Sequence, residues 1–153
     1  MRMQEPAAQV AVIGPSECTE DEAAAAAVIG GVISAHGATL ISGGLGGVME
    51  ASCRAAKENC GLVVGILPGY GEGNPSLSVS IRTGLSHARN FLVVESSDAI
   101  VAVGGAYGTL SEIAIALKRG KPVFGYRSWD IEGVQPCKTP EEAALRALSA
   151  ARR

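Results

Sequence analysis

The chain has 153 residues, of which 47% are apolar, 18% charged and only 4% aromatic, with a net charge of −2. That length suits one domain with a full hydrophobic core of Ala, Val, Ile and Leu. The weak acidic charge argues against nucleic acid as a partner, and so few aromatics argue against stacking platforms for single strands. Short apolar runs then alternate with helical stretches. Gln9–Pro15 predicts a first strand, and Thr19–His36 a helix stopped by Gly37. Ala38–Gly44 predicts a second strand and Gly47–Asn59 a second helix. Leu62–Pro68 is a third strand, ended by a Gly- and Pro-rich loop over Gly69–Ser76. Ser78–Thr83 reads as a short fourth strand, followed by a helix from Ser86 to Glu95. Ala99–Gly105 and Pro122–Tyr126 are strands flanking a helix over Thr109–Arg119, and a last helix starts at Thr139.

The strands are continuously apolar rather than alternating, which predicts a parallel sheet covered by helices on both faces. The expected architecture is a single α/β domain over residues 1–153, Rossmann-like, with about six or seven parallel strands. Residues 1–8 are expected to form a flexible N-terminus, and Arg152-Arg153 a frayed, solvated end. In such sheets ligands bind beyond the carboxyl ends of the strands. The glycine-rich turns follow strands, so they should gather on that edge.

Cys18, Cys53, Cys60 and Cys137 show no CxxC spacing and no nearby histidine pair. They read as reduced thiols of a cytoplasmic protein rather than disulfides or metal ligands. The N-terminus lacks the apolar stretch of a signal peptide, and no apolar run approaches the roughly 20 residues that cross a bilayer. The expectation is a soluble protein with no membrane partner.

The most informative stretch is Gly104-Gly105-Ala106-Tyr107-Gly108-Thr109-Leu110-Ser111-Glu112. A buried strand ends there in a glycine-rich turn that opens a helix. Free backbone N–H groups and the positive end of the helix dipole converge on such a turn, so Gly104–Thr109 is a candidate phosphate site. It is neither the dinucleotide fingerprint nor a P-loop. Glu112 has two readings. It is a candidate catalytic carboxylate, and Thr109-Leu-Ser-Glu112 is also a capping box, like Thr19-Glu-Asp-Glu22 and Thr139-Pro-Glu-Glu142.

A second turn, Ser42-Gly43-Gly44-Leu45-Gly46-Gly47, holds four glycines in five residues. Close approach by a ligand or by another backbone would explain them. Glu50, one turn into the next helix, favours the helix dipole. In Ala88-Arg89-Asn90, the Arg89 guanidinium suits a phosphate or carboxylate partner, or is a solvated helix charge. His87 carries no mark of a ligand or base. The Gly69–Ser76 loop is longer than a minimal turn and reads equally as a pocket rim or as an oligomer contact.

Together these pieces resemble the LONELY GUY-like (SLOG) superfamily, older sequences of which were labelled lysine decarboxylase-like. Its signature PGGxGTxxE is met by Gly104, Gly105, Gly108, Thr109 and Glu112, with Val103 in place of the leading proline. Arg89 stands where the family places an active-site arginine, and the likeness spans residues from about 9 to 126. The runs GGLGGVMEA, VVGILPG, GNPSLSVSIRTGL and GTLSEIAIAL are similar to a subgroup related to the molybdenum cofactor carrier protein. The resemblance implies a Rossmann-like fold, a homodimer or homotetramer, and a phosphorylated, nucleotide-like ligand at the glycine turns Gly43, Gly44, Gly46, Gly47 and Gly104–Thr109.

In the enzyme branch the implied reaction is metal-free hydrolysis of the N-glycosidic bond of nucleoside 5′-monophosphates, with Arg89 and Glu112 catalytic. An oxocarbenium-like ribose would be stabilised by a nearby carboxylate that also orients water. The alternative is a non-catalytic carrier of molybdenum cofactor or a signalling nucleotide. Amino-acid decarboxylation fails, since it needs a lysine to hold pyridoxal phosphate and neither glycine turn has one.

Overall fold

A computed structural model describes residues 4–152 of the chain, so Met1–Met3 of the expected N-terminal arm and Arg153 lie outside the described residues. The elements follow one another as β1 (Gln9–Ile13), α1 (Glu20–Ala35), β2 (Thr39–Ser42), α2 (Val48–Glu58), β3 (Val63–Leu67) and β4 (Val79–Arg82). Then come a 3-10 turn (Ser86–Ala88), α3 (Arg89–Glu95), β5 (Ala99–Val103), α4 (Tyr107–Lys118), β6 (Val123–Tyr126), β7 (Val134–Pro136) and α5 (Pro140–Ala151). The strands form one seven-stranded sheet in the order β4-β3-β2-β1-β5-β6-β7, and every pairing is parallel.

The central strands are apolar from Val10 to Ile13 and from Ala99 to Val103 because both faces meet helices. Along β1, Val10 and Val12 join the core under α1, α2 and α5, whereas Ala11 and Ile13 join the core under α3 and α4. Along β5 the same alternation sends Ala99, Val101 and Val103 to the first layer and Ile100 and Ala102 to the second. The chain runs outward from β1 to β4 and restarts at β5 on the other side of β1. That reversal opens a crevice between the carboxyl ends of β1 and β5.

Three local expectations are corrected. The helix expected over Ser86–Glu95 is split, because Ser86 adopts a left-handed φ of 53° and the first residues form only a 3-10 turn. β7 was not anticipated. Its sequence Val-Gln-Pro has no apolar run, and a proline is tolerated there because β7 is an edge strand. Finally, α4 begins at Tyr107 with Ala106 as its N-cap, earlier than the expected start at Thr109.

α3 is only seven residues long and is fixed at its C-terminal end by one side chain. The Lys121 ammonium donates to the carbonyls of Val94 (2.9 Å), Glu95 (2.9 Å) and Ser97 (2.6 Å). These carbonyls gather at and just beyond the last turn of α3, where a cation suits the dipole; the Val94 carbonyl also accepts from Ser97 N–H at 3.1 Å. No helix among the described residues is long and apolar enough to cross a membrane.

Candidate functional site

A cavity of about 400 Å³ lies at the switch point. Its walls are the turn after β1 (Gly14, Pro15, Ser16), the start of α2 (Leu45, Met49), Pro68 after β3, the Ser86-His87 turn, Arg89 and Asn90 of α3, and the N-terminal part of α4 (Ala106, Gly108, Thr109, Glu112). This volume falls within the roughly 300–1,000 Å³ of small-molecule sites. Residues from six separate turns and helix ends meet here, as the sheet topology requires.

The α4 terminus leaves its first backbone donors without partners inside the helix. No side chain caps it, and the first intrahelical bond of its opening turn runs from Leu110 N–H to the Ala106 carbonyl (2.9 Å). The N–H groups of Tyr107, Gly108 and Thr109 therefore lack intrahelical partners. Because the helix starts early, Thr109 lies inside it and cannot act as the N-cap. Its side chain is 2% exposed, lines the cavity, and its Oγ1 is buried without a hydrogen-bond partner. A buried hydroxyl normally finds a partner, and an orphan costs about 1–3 kcal/mol. The expected Thr109–Glu112 capping box is thus absent, which removes the local, structural reading of Glu112.

Glu112 instead turns its carboxyl group into the cavity and is 7% exposed. Burial pushes its pKa up to about 7, against the opposing attraction of Arg89. Arg89 faces the same cavity from α3 at 8% exposure, and burial lowers its pKa although Glu112 pulls the other way. The two do not form a direct ion pair. Among the described residues such pairs join Arg119 to Glu95, Arg127 to Asp21 and Arg146 to Glu142.

Arg89 is held from behind. One terminal nitrogen, Nη1, donates to Asn90 Oδ1, and Nη2 donates to the Gly43 carbonyl at 3.3 Å, while Nε is buried without a partner. Asn90 in turn donates to Ser111 Oγ (3.0 Å), which donates to the Gly108 carbonyl (2.7 Å). A relay of side chains therefore joins the arginine to the first turn of α4. Trp129, from the β6–β7 connection, closes the other side of that turn, with Nε1 donating to the Ala106 carbonyl at 3.3 Å.

Among the described residues, the model for the SLOG cluster4 family matches positions 7–151. The chain belongs to this family. An uncharacterised protein of Archaeoglobus fulgidus is 49% identical over 143 residues, covering 92% of this chain and 95% of that one. Among solved structures, the molybdenum cofactor binding protein of Rippkaea orientalis superposes with a TM-score of 0.90 at 33% identity, covering 95% of this chain and 98% of that one. The molybdenum cofactor carrier protein of Chlamydomonas reinhardtii gives a TM-score of 0.90 at 30% identity, covering 97% and 100%.

In this SLOG cluster4 chain the residues singled out from sequence divide into two groups. Arg89, Ala106, Gly108, Thr109 and Glu112 line one cavity. Gly43, Gly44, Gly46, Gly47, Gly104, Gly105 and Tyr107 surround it without forming its walls, and the Tyr107 ring is in solvent at 84% exposure. Gly43 leaves the space that Arg89 and Met49 fill: a Cβ there would come within 2.9 Å of Arg89 Nη2 and 2.8 Å of the Met49 sulfur. Gly47, at φ 62°, packs against the carbonyls of Pro15 and Ser16. The Gly69–Ser76 loop is tied to the second glycine turn, since Asn74 N–H donates to the Gly44 carbonyl (2.8 Å) and Asn74 Nδ2 to that of Leu45 (3.0 Å). Asn90, Ser111 and Met49 fall within stretches that the sequence marks without giving them a role of their own, and Trp129 carried no signal, because only packing brings it to the α4 turn.

Proposed function

We propose that this SLOG cluster4 protein is a binding or carrier protein for a phosphorylated small molecule of the molybdenum cofactor type. Its anionic group would rest on the α4 amides. The observation that carries this reading is the orphaned Thr109 hydroxyl beside the three unpartnered N–H groups, with the Arg89 cation on the same cavity. An oxyanion satisfies all of them at once. The names of the two solved relatives supply the ligand class. The cofactor is cargo on this reading, and no group of three or more His, Cys, Asp or Glu side chains suited to a metal ion occurs among the described residues. Recognition would therefore rest on the phosphate and the organic part.

A second reading, nucleoside 5′-monophosphate hydrolysis, is favoured by Glu112. A buried carboxyl group titrating at about 7 suits general acid–base work near neutral pH. Purified protein incubated with molybdenum cofactor and with a panel of nucleoside 5′-monophosphates separates the two. Saturable binding with no free base released is expected. Base release by the wild type that is lost in Glu112→Ala would overturn the carrier reading. We further infer a cytoplasmic homodimer or homotetramer, in keeping with the family resemblance.

A further inference from the structure

Glu112 lies one helical turn beyond Thr109 on α4, so an anion seated on the amides of Tyr107–Thr109 would be its neighbour along the same helix face. The two would share the cavity wall, where the Glu112 side chain is largely withdrawn from solvent. Glu112 is 7% exposed, and neither an ion pair nor a hydrogen bond among the described residues reaches its carboxyl group. Like charges this close in a poorly solvated site cannot both persist at low cost, so one of them must be neutralised. The charge of a ligand such as sulfate is fixed across the neutral range, whereas a phosphate monoester dianion itself titrates at about pH 6. The charge on Glu112 is not fixed.

We propose that Glu112 is a proton-linked selectivity group for dianions: it takes one proton from solvent as the dianion seats on α4, and the resulting carboxyl O–H donates to an oxygen of the ligand. This rests on the reading of the α4 terminus as an anion site. It makes the site hold a dianion more tightly below the Glu112 pKa and release it as pH rises, for a phosphate monoester within the range above its own second pKa of about 6. The empty cavity already brings Glu112 to a pKa of about 7, through burial opposed by Arg89, so the linkage falls in the neutral range. The other ionisable groups on the cavity are Arg89 from α3 and His87 from the turn before it. The β1 turn supplies Gly14, Pro15 and Ser16, and the α2 end Leu45 and Met49, none of which titrates here.

Sulfate is the probe, because it keeps its double charge where phosphate would itself titrate. Trp129 is the chain's one tryptophan and bonds to the N-cap carbonyl of α4, so its fluorescence follows the titration. Calorimetry in two buffers of different ionisation enthalpy counts the protons taken up. Wild-type Kd is expected to be flat below about pH 7 and to rise toward tenfold per pH unit above it. Glu112→Gln should bind with no such slope, roughly thirtyfold tighter than wild type near pH 8.5, and without proton uptake. A slope that survives in Glu112→Gln but disappears in His87→Gln would overturn the proposal in favour of the histidine, and a flat wild-type profile would overturn it outright. Failure of both wild type and Glu112→Gln to bind sulfate at any pH would instead sink the anion site itself.

Discussion

Thr19–Glu22 and Thr109–Glu112 carry the same Thr-x-x-Glu pattern, and the molecule uses it in two opposite ways. At α1 both halves of the box form: Glu22 N–H donates to Thr19 Oγ1 at 3.1 Å, and Thr19 N–H donates to the Glu22 carboxylate at 3.0 Å, in solvent. At α4 neither half forms, because the helix starts at Tyr107 and carries Thr109 and Glu112 into the cavity. A third copy, Thr139–Glu142, keeps one half. Thr139 accepts from Glu142 N–H, but the Glu142 carboxylate accepts from Lys138 instead. The pattern therefore states only that two side chains are three residues apart. Where the helix begins decides whether they cap it or line the cavity.

Substitutions can pull the two regions apart. The largest effect should come from Glu112→Gln. The folded carboxyl titrates at about 7 against an ordinary 4.5, so the folded protein binds more protons than the unfolded chain between those values. Stability from this group is then greatest at low pH and is lost as pH rises toward 7. Urea unfolding should show Glu112→Gln matching wild type near pH 4 and exceeding it by about 3 kcal/mol above pH 7.5. A gap that is the same at both pH values would mean that burial does not perturb the carboxyl group.

Next comes Gly104→Ala, at the point where the two regions touch. Gly104 has φ 70°, and a Cβ there would collide with the Glu22 carboxylate of the α1 cap. The strained backbone costs about 1–2 kcal/mol and the displaced cap up to about 1 more, read as a lowered urea midpoint. Adding Glu22→Ala to that variant should recover no more than the steric part. The smallest effects distinguish the threonines. Thr19→Val should lose about 1 kcal/mol with its cap. Thr109→Val, which removes an orphan hydroxyl in the same shape, should be neutral or stabilising by up to about 1 kcal/mol while weakening anion binding. Equal losses at both positions would mean that Thr109 has a partner in solution.

Much of this architecture was legible because its strands are apolar on both faces and bounded by glycine or proline, as in Val10–Ile13 and Ala99–Val103. The start of the helix expected at Ser86 and the start of α4 were not, although the end of the former at Glu95 was. Their boundaries depend on a left-handed serine at 86 and on Trp129 packing against a turn far from it in sequence. Edge strand β7 owes its order to pairing with β6 rather than to its own residues. At the site, Arg89 and Glu112 could be singled out by motif. Their burial, and the loss of the capping alternative, required three dimensions.

The Lys121 clamp on α3 bears on how this cavity behaves in time. Helices shorter than about 12 residues seldom persist alone in water, and α3 has seven. It is pinned at one end by the Lys121 ammonium and at the other by the Arg89 and Asn90 side chains themselves. If it opens only together with its anchors at Ser97 and on α4, amide exchange along α3 should be as slow as exchange in those neighbours, and Arg89 keeps its place on the cavity as part of that unit.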